Sequence, residues 1–201
     1  MFTLLFYTQS HAQGGQAWYD FDALAEILEL RPGSWMADIG ANDGFYLNRF
    51  LPILGEDGHI FAVDISTRGF ERLHRNMERW QANNISTIYS METNPLLPAS
   101  SLDAILIRNA YHEFFDPKQM LFHLKRALKP DGLLVISEPM NNRHQGTDRR
   151  TQEEDHVLDI KFAIRDLEES GFRIVRKTEL FSQHPQSGMF YWLLVTQTDL
   201  H

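Results

Sequence analysis

The chain of 201 residues contains no cysteine, which excludes disulfide bonds, cysteine-ligated zinc sites and thiol nucleophiles. It also lacks an apolar run near the ~18 residues that a bilayer-spanning helix needs, so no membrane-spanning segment is expected. Basic residues are few, because 19 Lys and Arg stand against 27 Asp and Glu and leave a net charge of −8. A chain without a basic excess is poorly suited to neutralise phosphates, so nucleic acid is not an expected partner.

The remaining composition is that of a folded globular domain, with 43% hydrophobic and 23% charged residues. We assign that domain to residues 20–201. Residues 1–19 are set apart as an N-terminal arm or the remnant of a signal peptide, because Ser10-His11-Ala12 suits a signal peptidase but no basic residue precedes the apolar start. The expected location is cytoplasmic, and it becomes periplasmic or secreted if residues 1–12 are the end of a signal peptide.

Helical and strand-like segments alternate through the domain. Apolar residues recur at helical spacing in 21–28 and 70–80, whereas the short apolar runs 35–39 and 103–107 have the character of buried strands. Strands separated by helices indicate βαβ units and a mainly parallel sheet. The last two of seven strand-like segments have no helix between them. The prediction is an α/β fold, with a doubly wound, seven-stranded, mainly parallel sheet and an antiparallel last strand.

Three local expectations accompany this fold. The glycine-rich turn after the first strand is expected to lead into a helix that Phe45 opens. Residues 129–132 are expected to form a turn before a fifth strand over 133–137. The polar segment 140–151 is expected to be a loop.

The turn after the first predicted strand reads Asp38-Ile39-Gly40-Ala41-Asn42-Asp43-Gly44. The dinucleotide fingerprint G-x-G-x-x-G would need glycine at positions 42 and 45, where Asn42 and Phe45 stand. The spacing D-x-G-x-x-x-G is present instead. Asp64 ends the second predicted strand, where a carboxylate can accept both hydroxyls of a ribose. Because doubly wound sheets bind ligands at the carboxyl ends of their strands, these two segments predict a nucleotide-cofactor site.

With these features and its later segments, the chain resembles the class I S-adenosylmethionine-dependent methyltransferases, in their small single-domain form. The matching segments are ADIGANDG at 37–44, FAVD at 61–64, LPASSLDAILI at 97–107, YHEFFDP at 111–117, LKPDGLLVISEP at 128–139 and LEESGFRIV at 167–175. The resemblance covers residues 20–197 and implies the Rossmann-like methyltransferase fold, S-adenosyl-L-methionine as cofactor and methyl transfer to an acceptor. We expect that acceptor to be a small molecule, since the acidic chain disfavours polyanions.

The resemblance also implies which residues border the methionine part of the cofactor. Gly40, Gly44 and the backbone around Ala41 and Asn42 would line it. Asp38, at the end of the first strand, would lie near the ammonium group of the cofactor. These assignments follow the family pattern position by position.

The adenosine part is assigned in the same way. Asp64 would hold the ribose and Ile65 would lie against the adenine. Met91 and Glu92 stand where the family usually has an acidic residue followed by alanine, so either Glu92 faces the adenine amino group or Met91 packs on the ring. Asn109, at the end of the fourth strand, would line the other edge of the cofactor.

Methyl transfer from a sulfonium is an in-line displacement, so a base is needed only if the acceptor must lose a proton. His112 follows the fourth strand at the expected cleft and is the first candidate for a base or hydrogen-bond partner of the acceptor; otherwise it caps a turn. Glu138, at the end of the fifth strand, is the second candidate, or else caps a helix. His144 and His156 lie in polar segments from which they could reach the pocket.

No metal site is expected. The chain has nine histidines but neither an H-E-x-x-H motif nor two histidines and a carboxylate close together in sequence. A facial triad from His112 and Glu113 would require the fold to bring the distant His144 or His156 to them.

Two other functions remain open at this stage. One is a non-catalytic module that binds S-adenosylmethionine or S-adenosylhomocysteine, which open acceptor space beside the sulfonium would disfavour. The other is an NAD-dependent oxidoreductase, which Asn42 and Phe45 disfavour.

Overall fold

The structure is a computed structural model that describes residues 21–198, so the predicted N-terminal arm or signal remnant lies outside the described residues. Seven strands form one sheet. Their bounds are β1 (Trp35–Ile39), β2 (His59–Asp64), β3 (Ile85–Tyr89), β4 (Leu102–Arg108), β5 (Leu128–Met140), β6 (Phe172–Gln183) and β7 (Phe190–Thr198). The strand order across the sheet is β3-β2-β1-β4-β5-β7-β6.

The predicted sheet is confirmed. Strands β1 to β5 pair in parallel, and β7 runs antiparallel to both β5 and β6. The central strand β4 is buried along almost its whole length, as its continuous apolar run requires. The order of the strands reverses between β1 and β4, and doubly wound sheets bind ligands at this reversal.

Six α-helices flank the sheet in the described range, and three short 3-10 helices lie between elements. The α-helices are α1 (Phe21–Ile27), α2 (Leu51–Leu54), α3 (Phe70–Trp80), α4 (Pro117–Ala127), α5 (Arg149–Glu154) and α6 (Ile160–Glu169), and the 3-10 helices span Leu47–Arg49, Tyr111–Glu113 and Asn142–His144. Within the part of the chain that the structure describes, no helix has the length and apolarity needed to cross a membrane.

The two faces of the sheet bury separate apolar cores, because alternate side chains of a strand point to opposite faces. Ile105 and Ile107 of β4 pack with residues of α4 and α6. Ala104 and Leu106 pack on the other face with residues of α1, α2 and α3. Helices on both faces explain why the strands read as continuous apolar runs rather than as alternating ones.

The prediction that a helix begins at Phe45 is wrong. Gly44 has a φ of +61°, and the chain then forms a turn, the 3-10 helix Leu47–Arg49 and the four-residue helix α2. Pro52 lies in the first turn of α2 and has no N–H for the carbonyl four residues before it, so a continuous helix over 45–54 would lose a hydrogen bond. The glycine turn is therefore not followed directly by an α-helix N-terminus.

Two loop predictions are also wrong. Residues 129–132 belong to β5, because Leu128 pairs with Leu102 and the register then shifts to Leu133 opposite Ala104, so the four residues form an irregularity inside the strand. The segment 140–151 contains the end of β5, a 3-10 helix and the first residues of α5. Asp148 caps α5 by accepting a hydrogen bond from the N–H of Thr151, a signal that was present in the sequence.

Candidate cofactor and acceptor site

A cavity of about 480 Å³ opens beside the carboxyl ends of β1, β2 and β4. This volume lies in the range of roughly 300–1,000 Å³ that small-ligand sites occupy. Most of the predicted cofactor residues line it: Gly40, Ala41, Asn42, Asp64, Ile65, Met91, Glu92 and Asn109. Asp38 and Gly44 do not line it.

The glycine turn is packed tightly against the end of β4. The N–H groups of Gly40 and Ala41 both donate to the carbonyl of Val63, at 2.8 and 3.0 Å. Gly40 has a φ of +79°, and a Cβ at this position would overlap the Cβ of Ala110. Asn42 is also left-handed, with a φ of +48°, a conformation that asparagine tolerates better than most residues. The turn therefore lets the bare backbone form one wall of the cavity.

Asp64 occupies the end of β2 with its carboxylate already oriented. Oδ2 accepts a hydrogen bond from the N–H of Asn42 at 2.9 Å, and Oδ1 accepts one from the N–H of Ser66 at 2.8 Å. Each carboxylate oxygen has a second lone pair. The side chain can therefore accept two hydroxyl groups of a ligand in the cavity without losing its hold on the glycine turn.

Two large apolar side chains are exposed on the cavity wall. Ile65 is 50% exposed and Met91 is 61% exposed, although both line a concave site. Exposed apolar surface of this kind suits a flat, apolar ligand group such as a purine ring. Glu92, the other residue of the Met91-Glu92 pair, also lines the cavity.

Asp38 is fully buried below the glycine turn rather than on the cavity wall. Tyr46 donates its hydroxyl to Oδ1 at 2.7 Å, while Oδ2 has no hydrogen-bond partner within residues 21–198. Burial raises the pKa of Asp38 to about 7, against the lowering effects of Tyr46 and Arg108. Tyr46 and Arg108 themselves line the cavity, so Asp38 lies one residue behind its wall.

This buried carboxyl predicts a pH-dependent stability. With a native pKa of about 7 against 3.8 in the unfolded chain, the native state binds more protons between these values. The free energy of unfolding should therefore fall as pH rises through this window, by up to about 1.4 kcal/mol per pH unit. Asp38→Asn removes this titrating group. In urea unfolding at several pH values, the free energy of unfolding of this variant should therefore fall less with rising pH than that of the wild type. The exposed control Asp57→Asn should keep the wild-type slope, and equal slopes for Asp38→Asn and wild type would contradict the account.

His112 and Glu138 form a buried pair next to the cavity without lining it. Oε1 of Glu138 accepts hydrogen bonds from the N–H groups of Ala110 and Tyr111 at 2.7 and 2.9 Å. Oε2 lies 2.6 Å from Nδ1 of His112. Burial lowers the pKa of His112, but the hydrogen bond and the charge of Glu138 outweigh it and raise this pKa overall. Glu138 thus holds the segment after β4 and orients the imidazole.

The fold brings two further side chains to the other nitrogen of this imidazole. Nε2 of His112 lies 3.3 Å from Nδ1 of His156 and 3.8 Å from Oε1 of Glu113. Glu113 also lines the cavity, so it connects the histidine pair to the ligand space. His144, by contrast, contacts Asn141 and Asp155 and is not part of this group. In the sequence, Glu113 was considered only as part of a triad with His112 that the fold would have to complete, and the fold does bring His156 to both.

Arg108 was missed by the sequence analysis. It ends β4, lines the cavity and places its guanidinium carbon 4.6 Å from the ring centroid of Tyr191. The signal was available, because a charged residue directly after the apolar run of a buried strand is unusual unless it faces a cleft.

Comparison with known proteins agrees with this geometry. A family model described as a methyltransferase domain matches residues 37–134. The hybrid PKS-NRPS synthetase tasS of Hapsidospora irregularis is 28% identical over 127 residues, which are 61% of this chain and 3% of that protein. Protein-L-isoaspartate O-methyltransferase of Methanothrix thermoacetophila is 25% identical over 126 residues, 63% of this chain and 57% of that protein. The match thus spans less than two thirds of either relative.

A solved structure shares the whole described architecture. A SAM-dependent methyltransferase from Aquifex aeolicus superposes with a TM-score of 0.74 at 22% identity, covering 89% of each chain. The matched family model and the shared fold support the class I S-adenosylmethionine-dependent methyltransferase family for this chain. The same findings imply S-adenosylmethionine as the cofactor. The residues present fit it, because the cavity combines a side-chain-free backbone wall at Gly40, an oriented acceptor at Asp64 and exposed apolar surface at Ile65 and Met91.

Proposed function

We propose that this methyltransferase transfers the methyl group of S-adenosylmethionine to a small-molecule acceptor. The observation that carries the proposal is that Glu113, Phe114 and Met120, which have no assigned cofactor contact, line the same cavity. The space beside these residues is where we place the acceptor. A binding module without transferase activity has no need of it, so the cavity favours the enzyme.

The chemistry of the lining supports an acceptor of modest size. Phe114, Met120 and Tyr191 supply apolar surface, and Glu113 adds a carboxylate at the edge. The net charge of −8 disfavours nucleic acid and other polyanions as acceptors. A small molecule with one polar, methyl-accepting group and an apolar body matches these walls best.

We assign the cofactor contacts from the same geometry. Asp64 holds the ribose, Ile65 and Met91 enclose the adenine, and the backbone at Gly40–Asn42 borders the methionine part with Asn109 on the opposite edge. Asp38 and Gly44 shape this site from behind, since neither lines the cavity.

His112 is assigned to the acceptor side, with Glu138 as its positioning residue. Bound cofactor supplies an electrophilic methyl group on a sulfonium. The acceptor would take this methyl group by in-line displacement, with the sulfur as the leaving group. Because His112 does not line the cavity, the proton of the acceptor would pass by way of the carboxylate of Glu113, which does, to Nε2 of His112, which faces this carboxylate at 3.8 Å. Glu138 keeps the imidazole in that orientation.

Methyl-labelled S-adenosylmethionine tests the acceptor class. The purified chain is incubated with labelled cofactor and a cell extract, which is then separated into small molecules, protein and nucleic acid. We expect label in the small-molecule fraction, together with an equal amount of S-adenosylhomocysteine. Label in protein or nucleic acid would overturn the acceptor class, and cofactor binding without any S-adenosylhomocysteine would support the binding module instead.

A further inference from the structure

We propose that His112, Glu113 and His156 bind a divalent first-row transition-metal ion at the acceptor edge of the cavity. Their ligand atoms form a triangle, in which Nε2 of His112 lies 3.3 Å from Nδ1 of His156. Oε1 of Glu113 is 3.8 Å from each of these nitrogens. All three atoms belong to the donor types that bind such ions.

The size of the triangle matches an ion. A point equidistant from the three atoms lies about 2.1 Å from each, within the roughly 2.0–2.2 Å at which zinc binds imidazole nitrogen and carboxylate oxygen. This point lies in the plane of the three atoms. An ion with an open coordination position lies outside this plane, so the exposed carboxylate of Glu113 would move slightly toward the two histidines. Two imidazoles and one carboxylate suit zinc or ferrous iron, whereas magnesium prefers oxygen ligands only.

Glu138 completes the arrangement behind the first ligand. A carboxylate accepts hydrogen bonds, so its 2.6 Å contact is made with a protonated Nδ1 and leaves the lone pair of the neutral ring on Nε2. Metal-binding histidines are commonly held by a carboxylate in this way. The same contact therefore selects the tautomer that can bind an ion.

The two ligand-bearing segments are braced against each other. Tyr111, next to His112, donates its hydroxyl to Oδ2 of Asp166 at 3.1 Å, and Nη1 of Arg149 donates to the same oxygen at 2.5 Å. Arg149 begins α5, and His156 lies just past its end. Beyond His156, the N–H of Leu158 donates to the carbonyl of Pro139 at 3.0 Å. These contacts hold the backbones of the two segments next to each other.

The backbone of His156 agrees with this interpretation. Its φ is +54°, in the left-handed region where a helix usually ends on glycine. A histidine is less favourable than glycine in this conformation. The side chain that occupies this position is the one that completes the triangle.

Exposure leaves room for further ligands. The side chain of His112 is 1% exposed, whereas those of Glu113 and His156 are 61% and 74% exposed. An ion here would be shielded on the protein side and open on the other, as ions in catalytic sites are. Because Glu113 lines the cavity, the open side would receive an oxygen or nitrogen of the acceptor, an inference that rests on the proposed function. With an ion bound, Nε2 of His112 is a ligand, and the ion rather than the imidazole would promote loss of the acceptor's proton.

Zinc titration followed by calorimetry tests the site, on untagged full-length chain treated with EDTA. We expect one zinc ion per chain. His156→Asn and Glu113→Gln should each weaken binding by about 100-fold or more, since losing a partner that only orients a ligand already costs about 10–100-fold. The control His74→Asn removes an exposed histidine on α3 and should bind zinc as the wild type does. Excess magnesium should not compete.

Two results would overturn the metal site: no stoichiometric zinc binding, or wild-type affinity in His156→Asn. Thermal unfolding with S-adenosylmethionine, measured on the zinc-free chain, separates this from the proposed function. If the cofactor raises the melting temperature and zinc does not bind, only the metal site fails. If zinc binds and labelled methyl reaches no small molecule, only the proposed function fails.

Discussion

Replacing Asp64 by asparagine is expected to weaken the binding of S-adenosylmethionine by about 100-fold. The carboxylate ends β2 on the cavity wall and is assigned both hydroxyls of the ribose. An amide can accept on one atom only, so one ribose hydroxyl loses its partner. The NH₂ group of the amide, which can only donate, would also face a backbone N–H or a ribose hydroxyl that the carboxylate now accepts from. Hydrogen bonds to a charged group contribute about 1.5–3 kcal/mol each, and about 2.8 kcal/mol corresponds to this loss of affinity.

Calorimetric titration with S-adenosylhomocysteine measures this effect without turnover. Asp64→Asn keeps the size of the side chain, and circular dichroism checks that the sheet is intact. Asp57→Asn, an exposed change in the turn before β2, serves as the matched control and should bind as the wild type does. Wild-type affinity in a folded Asp64→Asn chain would contradict the assignment of Asp64 to the ribose.

The second large effect is expected at His112. His112→Asn should lower the turnover number by about 10²–10⁴-fold, the range that a positioned proton-transfer group supplies. Affinity for S-adenosylmethionine should stay unchanged, because His112 does not line the cavity next to the cofactor residues. The measurement is the rate of S-adenosylhomocysteine formation with the acceptor found by labelling. An unchanged turnover number would show that the acceptor needs no help from this imidazole.

Glu138→Gln tests how the imidazole is positioned. Its amide oxygen can still accept from the N–H groups of Ala110 and Tyr111, but its NH₂ group then faces Nδ1 of His112. The ring must place its proton on Nε2 to accept this hydrogen bond, and the lone pair directed at Glu113 and His156 is lost. We expect a fall in turnover close to that of His112→Asn, with cofactor affinity retained.

The tautomer itself distinguishes this role from a merely structural one. Nitrogen NMR of the imidazole should report a proton on Nδ1 in the wild type and on Nε2 in Glu138→Gln. A folded Glu138→Gln chain that keeps the wild-type tautomer and loses turnover would contradict the positioning role.

The sheet and the cofactor turn could be predicted because their signals are local. Buried strands such as β4 read as continuous apolar runs, and the glycine turn needs residues that tolerate positive φ. Parallel pairing then brings the ends of β1 and β2 together, which places Asp64 beside Asn42 without further information. The fold class and the position of the cofactor turn beside Asp64 follow from these features.

The acceptor side depends on contacts that no local pattern contains. His112 and His156 are 44 residues apart, and the Tyr111–Asp166–Arg149 network holds their two segments next to each other. Asp38 belongs to the glycine-turn motif, yet it lies buried behind Tyr46 and not on the cavity wall. Burial and long-range contacts decide these points, and sequence spacing reports neither.

The central claim is that the cavity binds S-adenosylmethionine. Thermal unfolding tests it most directly, on chain freed of bound nucleoside by unfolding and refolding, with S-adenosylmethionine, S-adenosylhomocysteine or NAD in excess. At about 100 times the dissociation constant, a ligand adds about 2.7 kcal/mol, or roughly 5–10 °C for a chain of this size. We expect this rise with the two methionine-derived ligands and not with NAD. A rise with NAD alone, or with none of the three, would contradict the account.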